Sequence, residues 1–252
     1  MGAAGDRLAH PLGEVDVARQ LVVVADLRVE GPDPDLLVDD GRVVGPALDE
    51  VARGLQGVED ALERWFREPA KTDIRPLGKP LAQARLEWGG AADLLDWFAE
   101  EGRRTYGRII PGRVTESELR VLRKPVGPVA ALAPWNFPAW GMMQKIAPAL
   151  AAGCSVVAKP SEATPVTTWH IAVCLLEAGL PPNAISVIWG SSSTLSDALI
   201  KSPEIRKVSL TGSTRVGRIV ASLAGEYLKK VTMELGGHAP VIVARDADMS
   251  KL

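Results

Sequence analysis

The sequence predicts an α/β protein built on a doubly wound parallel sheet. Three observations carry that prediction. Short apolar runs recur from Val126 onward, at 128–133, 155–158, 185–189, 207–210, 230–233 and 239–243. They are continuously apolar rather than alternating, as strands covered on both faces are. Amphipathic stretches fill most of the gaps between them, which is the βαβ pattern of a parallel sheet with helices on both sides.

The elements divide into three segments. Residues 1–70 form an N-terminal arm. Within it, 26–40 ("DLRVEGPDPDLLVDD") holds six acids and one base broken by prolines and a glycine, and reads as irregular chain. Helical spacing is present over 48–68. Residues 71–125 hold a second helical segment, 81–105, where Leu86, Ala91, Leu94, Leu95 and Phe98 recur at three and four. Two β-like runs follow, 107–112 and 118–127, positioned to pair as a hairpin. Residues 126–252 are the sheet domain. Its helix at 165–178 is signed by Thr164 as cap, Pro165 in the first turn and Gly179 as a left-handed stop. The helix from Ser213 is expected to bury Val216, Ile219, Val220 and Leu223.

Composition narrows the function classes. A net charge of −2 gives no electrostatic case for nucleic acid or an anionic membrane. No run of eighteen apolar residues spans a bilayer, and the opening "MGAAGDRLAH" has no apolar leader core. The expected address is cytoplasmic. Cys154 and Cys174 stand far apart, which fits reduced thiols. The three histidines show no ligand spacing with cysteine or acid, so no metal site is expected.

In doubly wound sheets, ligands bind at the carboxyl ends of the strands. Four features fall there. Pro134-Trp135-Asn136-Phe137-Pro138 follows the first run. Two prolines fix the chain around one amide, a good donor to an oxygen that becomes negative, and losing such a donor costs about 10²–10³ in rate. It reads equally well as a turn whose Asn satisfies local backbone. Lys159-Pro160-Ser161-Glu162 follows the second run, where ribose hydroxyls are recognised, although a solvated charge pair is as good a reading. Thr211-Gly212-Ser213 opens a helix whose free N–H groups suit a phosphate, or serves merely as its cap. Glu234, beside Gly236-Gly237, could be a general base or part of a structural turn.

Taken in this order, the motifs resemble those of the NAD(P)-dependent aldehyde dehydrogenases. The resemblance is carried by "LGKPLAQAR", "KPVGPVAALAPWNFPAW", "KIAPALAAGCSVVAKPSEATP", "TGSTRVGR" and "MELGGHAPVIVARDADM", from Leu77 to near the end of the chain. It is similar in look to the succinate-semialdehyde enzymes, whose substrate-gripping Arg is replaced here by Gln144. It implies a Rossmann-like cofactor domain and an aldehyde as substrate. A cysteine would attack the aldehyde, Asn136 would hold the resulting oxyanion, and Glu234 would activate the water that hydrolyses the thioester. Pro134 and Trp135 would back the nicotinamide, and Leu235 and Gly236 would line its pocket. Lys159, Ser161 and Glu162 would hold the adenosine ribose, and Gly212 and Ser213 the pyrophosphate. A carboxylate at Glu162 disfavours a 2′-phosphate, which implies NAD, with NADP as the second candidate.

In members the nucleophilic cysteine comes a few dozen residues beyond the "ELGG" motif. Neither Cys154 nor Cys174 matches it, and no counterpart of the catalytic domain or of the oligomerisation strand is found in these residues. The expectation is a cofactor-binding half that is inactive alone. The alternative is a non-catalytic dinucleotide-binding or assembly module that pairs with full-length relatives through the 107–123 hairpin.

Overall fold

A computed structural model describes residues 78–114, 117–248 and 250, together with the backbone of Val38–Asp39 (β1) and Arg42–Val43 (β2). β1 and β2 form a two-residue antiparallel ladder, with Val38 opposite Val43. The expectations of irregular chain over 26–40 and a helix over 48–68 otherwise fall outside the described residues.

Helix α1 (Leu81–Gly102) begins after Pro80 and buries Ala84, Trp88, Ala91 and Leu95 along one stripe. Spacings of four, three and four place them on one face. Leu86, expected on that stripe, points outward and is exposed. It lies two residues from both Ala84 and Trp88, about 200° around the helix.

The hairpin follows. β3 (Arg108–Pro111) pairs antiparallel with β4 (Glu118–Val121), with Ile109 opposite Arg120 and Ile110 opposite Leu119. Both strands are exposed along their whole length.

The sheet contains β5 (Val129–Leu132), β6 (Val156–Lys159), β7 (Ile185–Val187), β8 (Lys207–Thr211) and β9 (Lys230–Glu234), all parallel, in the order β7-β6-β5-β8-β9. Helices α2 (Pro138–Ala151), α3 (Pro165–Glu177), α4 (Ser192–Lys201) and α5 (Thr214–Glu226) make the crossovers. The chain steps outward from β5 through β6 to β7, then returns to the other side of β5 for β8 and β9. The topological switch point therefore lies between β5 and β8.

Central strand β5 is buried on both faces, as its unbroken apolar run predicts. Val129 and Ala131 join the core cluster shared with α1, α2 and α3. Ala130 and Leu132 join the one that contains Ile200 of α4 and Val220 of α5.

Three further details differ from expectation. The run at 239–243 forms no strand, and Val241 and Ile242 are exposed. Strong β propensity does not make a strand without a neighbouring edge to pair with. In α5 the buried positions are Gly217, Val220 and Ala224, while Ile219 is exposed. A Cβ on Gly217 would come within 2.5 Å of the Leu235 side chain, so the helix packs closely there and turns Val216 and Ile219 outward, while Leu223 stays packed against the core as expected. Thr164 occupies the cap position of α3 but makes no side-chain capping bond. Gly179 does adopt the left-handed conformation, with φ of 97°.

Candidate functional site at the carboxyl edge of the sheet

The carboxyl ends of β6, β5, β8 and β9 lie side by side, and each carries part of the candidate site. β5 runs through Ala133 and Pro134 into exposed Trp135 and Asn136 before Pro138 opens α2. β8 ends at Thr211, directly beside Glu234, the last residue of β9. The Gly212 N–H donates to the Glu234 main-chain oxygen at 3.0 Å, extending that pairing one step into the turn.

Ser213 is the N-cap of α5, and its hydroxyl oxygen accepts from the Val216 N–H at 3.3 Å. This satisfies one of the donors left over at a helix start. The N–H groups of Thr214 and Arg215 in the same turn have no intrahelical acceptor, as at any helix N-terminus. Together with the helix dipole they make the centre of the edge a suitable place for an anion.

At the β6 end, Lys159 and Glu162 meet on one residue that sequence reasoning missed. Lys159 Nζ donates to the Ser192 hydroxyl, and the Ser192 N–H donates to the Glu162 carboxylate. Glu162 thus caps α4 from outside the helix. The bonds from Ser192 hold its carboxyl below the usual carboxylate range. Burial pushes the Lys159 ammonium down, opposed by the charge of Glu162. Ser191, Ser192 and Ser193 look alike in sequence, and only the approach of Lys159 and Glu162 to the start of α4 singles out Ser192. Ser161 is half-buried in the same loop, and its hydroxyl oxygen accepts from the Ala163 N–H.

A second missed residue is Lys145, buried on α2. Its Nζ donates to Thr211 Oγ1 at 2.5 Å. Desolvation pushes its ammonium down to about 8, with the charge of Glu234 acting in the opposite direction. In sequence it is one basic residue inside an apolar helix. A lysine at 5% exposure signals that something nearby compensates it.

Leu235 is half-buried against Gly217, while Gly236, Gly237 and His238 are exposed beyond it. Cys154 and Cys174 lie elsewhere. Cys154 is buried just before the amino end of β6, and Cys174 is buried in α3.

Residues 47–252 match the profile described as the aldehyde dehydrogenase family. This chain belongs to the aldehyde dehydrogenase family. The match starts well upstream of Leu77, where the recognisable motifs begin. A 4-(hydroxymethyl)benzenesulfonate dehydrogenase of Comamonas testosteroni is 43% identical over 227 residues, covering 81% of this chain and 48% of that protein. A mitochondrial succinate-semialdehyde dehydrogenase of Arabidopsis thaliana is 48% identical over 195 residues, covering 75% of this chain and 37% of the relative. Among solved structures, an NADP-dependent enzyme of E. coli superposes with a TM-score of 0.75 at 40% identity, over 83% of this chain and 43% of that one. The chain spans less than half the length of these relatives.

Aldehyde dehydrogenases use NAD or NADP, and the matched proteins include both kinds. A structure from Sinorhizobium meliloti is named as NAD-dependent, and a succinate-semialdehyde dehydrogenase of E. coli is named for NADP(+). Among the described residues, no helix of this aldehyde dehydrogenase chain is long and apolar enough to cross a membrane.

Proposed function

We propose that this chain is the dinucleotide-binding part of an enzyme that oxidises an aldehyde to a carboxylic acid, and that it takes NAD in preference to NADP. The observation that carries the reading is the meeting of Lys159 and Glu162 on Ser192 at the end of β6, with β5 between it and the anion-suited start of α5 beyond the switch point. In this arrangement the pyrophosphate lies at Gly212 and Ser213, and the adenosine ribose reaches toward Lys159, Ser161 and Glu162. Glu162 is ionised and exposed, so a 2′-phosphate would meet like charge.

The cofactor supplies a hydride acceptor. The chain's own residues orient it and handle oxygen and protons. Pro134 and Trp135 would back the nicotinamide, and Leu235 and Gly236 would line its pocket. Asn136 donates to the aldehyde oxygen as it becomes negative. Glu234 takes a proton from water at the exposed end of β9. Neither buried thiol faces this edge, so the chain by itself is expected to bind dinucleotide without turning over aldehyde. Loss of a nucleophile from a cooperating set costs about 10⁶ in turnover.

Quenching of tryptophan fluorescence tests the binding reading. Glu162→Ala is expected to weaken NAD binding by about tenfold, the loss of one charge-assisted hydrogen bond, while narrowing the gap to NADP. Equal NAD affinity in wild type and Glu162→Ala would sink the ribose assignment. NADH production from a panel of aldehydes tests the second part. Turnover at an ordinary dehydrogenase rate that Cys154→Ala or Cys174→Ala abolishes would overturn it.

A second reading is favoured by one observation. The β3–β4 hairpin exposes Ile110, Leu119 and Val121 together on one face, a surface suited to assembly with full-length relatives. Co-purification with such a relative, lost in Leu119→Lys, would support that role.

A further inference from the structure

Helix α2 begins one residue after Asn136 and Phe137, and nothing local caps it. Its cap position is Phe137, which has no acceptor on its side chain, and Pro138 follows. Asparagine is among the best capping residues, so Asn136 is the obvious candidate to turn inward onto the helix. It does not serve as the cap. The acceptor comes instead from α1. Glu87 is buried at 4% exposure, and its Oε1 accepts from the Ala139 N–H at 2.8 Å and the Trp140 N–H at 3.3 Å. A carboxylate here also suits the positive end of the helix dipole.

Lys79 completes the arrangement. Its Nζ pairs with the other oxygen of Glu87 and donates to the Asn136 main-chain oxygen at 2.8 Å. It also sits 4.0 Å from the centre of the Phe137 ring, within range of a cation–π contact. Gly90 lets this interface close, because a Cβ there would fall 1.9 Å from the Trp140 ring.

We infer that Lys79 and Glu87 are positioning residues for Asn136. Glu87 relieves the Asn136 carboxamide of capping duty, and Lys79 holds the Asn136 backbone so that the carboxamide stays at the open edge. Neither residue touches the reacting atoms. The inference rests on the proposed role of Asn136 as oxyanion donor, but its test needs neither cofactor nor aldehyde, so the two readings fail separately.

The test follows the amide exchange of Ala139 and Trp140 together with the side-chain NH₂ resonances of Asn136, in the full chain. In Glu87→Ala, exchange at Ala139 and Trp140 is expected to accelerate at least about tenfold, since two bonds to a charged acceptor are lost. The Asn136 NH₂ pair is expected to shift as the carboxamide turns onto the freed donors. In Lys79→Met the Asn136 signals are expected to broaden, and Lys79→Arg should restore them. Amides of Ala130 and Val208 in the sheet report whether the fold survives. Should Glu87→Ala fail to fold, Lys79→Met and its rescue by arginine decide the matter. Unchanged Asn136 resonances in Lys79→Met would overturn the inference, as would unchanged exchange in a folded Glu87→Ala.

Discussion

Strands β5 and β9 belong to one sheet and end at one site, yet they live in different environments. β5 is buried at all four positions, while β9 is exposed at four of five, with only Met233 half-buried. β5 has a helical layer on each face and a strand on each side. β9 has β8 on one side and α5 against one face, and its other described surroundings are open. The amide of the proposed site thus hangs from a strand fixed by dense packing. Its acid hangs from a strand whose place depends on main-chain pairing with β8. A difference of this kind means that packing supplies precision on one side of the site and hydrogen-bond register on the other.

The largest effect should come from cutting into the packed side. Ile146 of α2 is fully buried in the cluster that covers β5, so Ile146→Ala should cost about 2–5 kcal/mol in urea unfolding. Val231→Ala on β9, at 42% exposure, should cost no more than about 0.5 kcal/mol. Equal losses would break the comparison.

Lys145 links the two sides and gives the next effect. Its ammonium is held at about 8 against an ordinary value of 10.5. Between those values the unfolded chain binds more protons, so stability should rise as pH climbs from about 8 toward 10.5. Below about 8 the cost of burying the charge is fully present. Lys145→Met should therefore lose an advantage of up to about 3 kcal/mol over that window. A constant difference between variant and wild type across the window would refute this. Glu234→Gln should lower the lysine's titration midpoint further, because Glu234 is what holds it up.

Adjacent glycines in α1 sharpen the contrast at smaller scale. Gly90→Ala forces the Trp140 ring to move and should cost about 1–3 kcal/mol. Gly89 has nothing within 4 Å of its Cβ position, so Gly89→Ala should stabilise by roughly 0.4–1 kcal/mol through helix propensity. Thermal melts of the two variants should move in opposite directions. The smallest loss is expected at Ser213. Its capping bond is long at 3.3 Å, and Ser213→Ala should cost about 0.5–1 kcal/mol. NAD titration of the same variant reports whether its hydroxyl also serves the ligand.

How much of this was readable beforehand varied with the range of the interaction. Hydrophobic period, turn residues and motif order are properties of neighbouring residues. They sufficed to predict the parallel sheet, the hairpin, the left-handed Gly179 and the gathering of Asn136, Glu162, Ser213 and Glu234 at strand ends. The expected strand at 239–243 failed because a strand requires a partner edge, which no local pattern encodes. On α5 Val220 and Leu223 face the core as expected, but Val216 and Ile219 do not, because Leu235, eighteen residues past Gly217, sets how closely that helix packs. Lys145, Ser192 and the Lys79–Glu87 pair acquire meaning only from groups distant in sequence: Thr211, Glu162, Asn136 and the start of α2. The sequence by itself determined the fold class and the order of the motifs, since both follow from local steric and hydrophobic preferences. The tertiary structure alone decided which polar side chains are buried and what each of them holds, because burying a charge is tolerable only where chain from elsewhere supplies its partner.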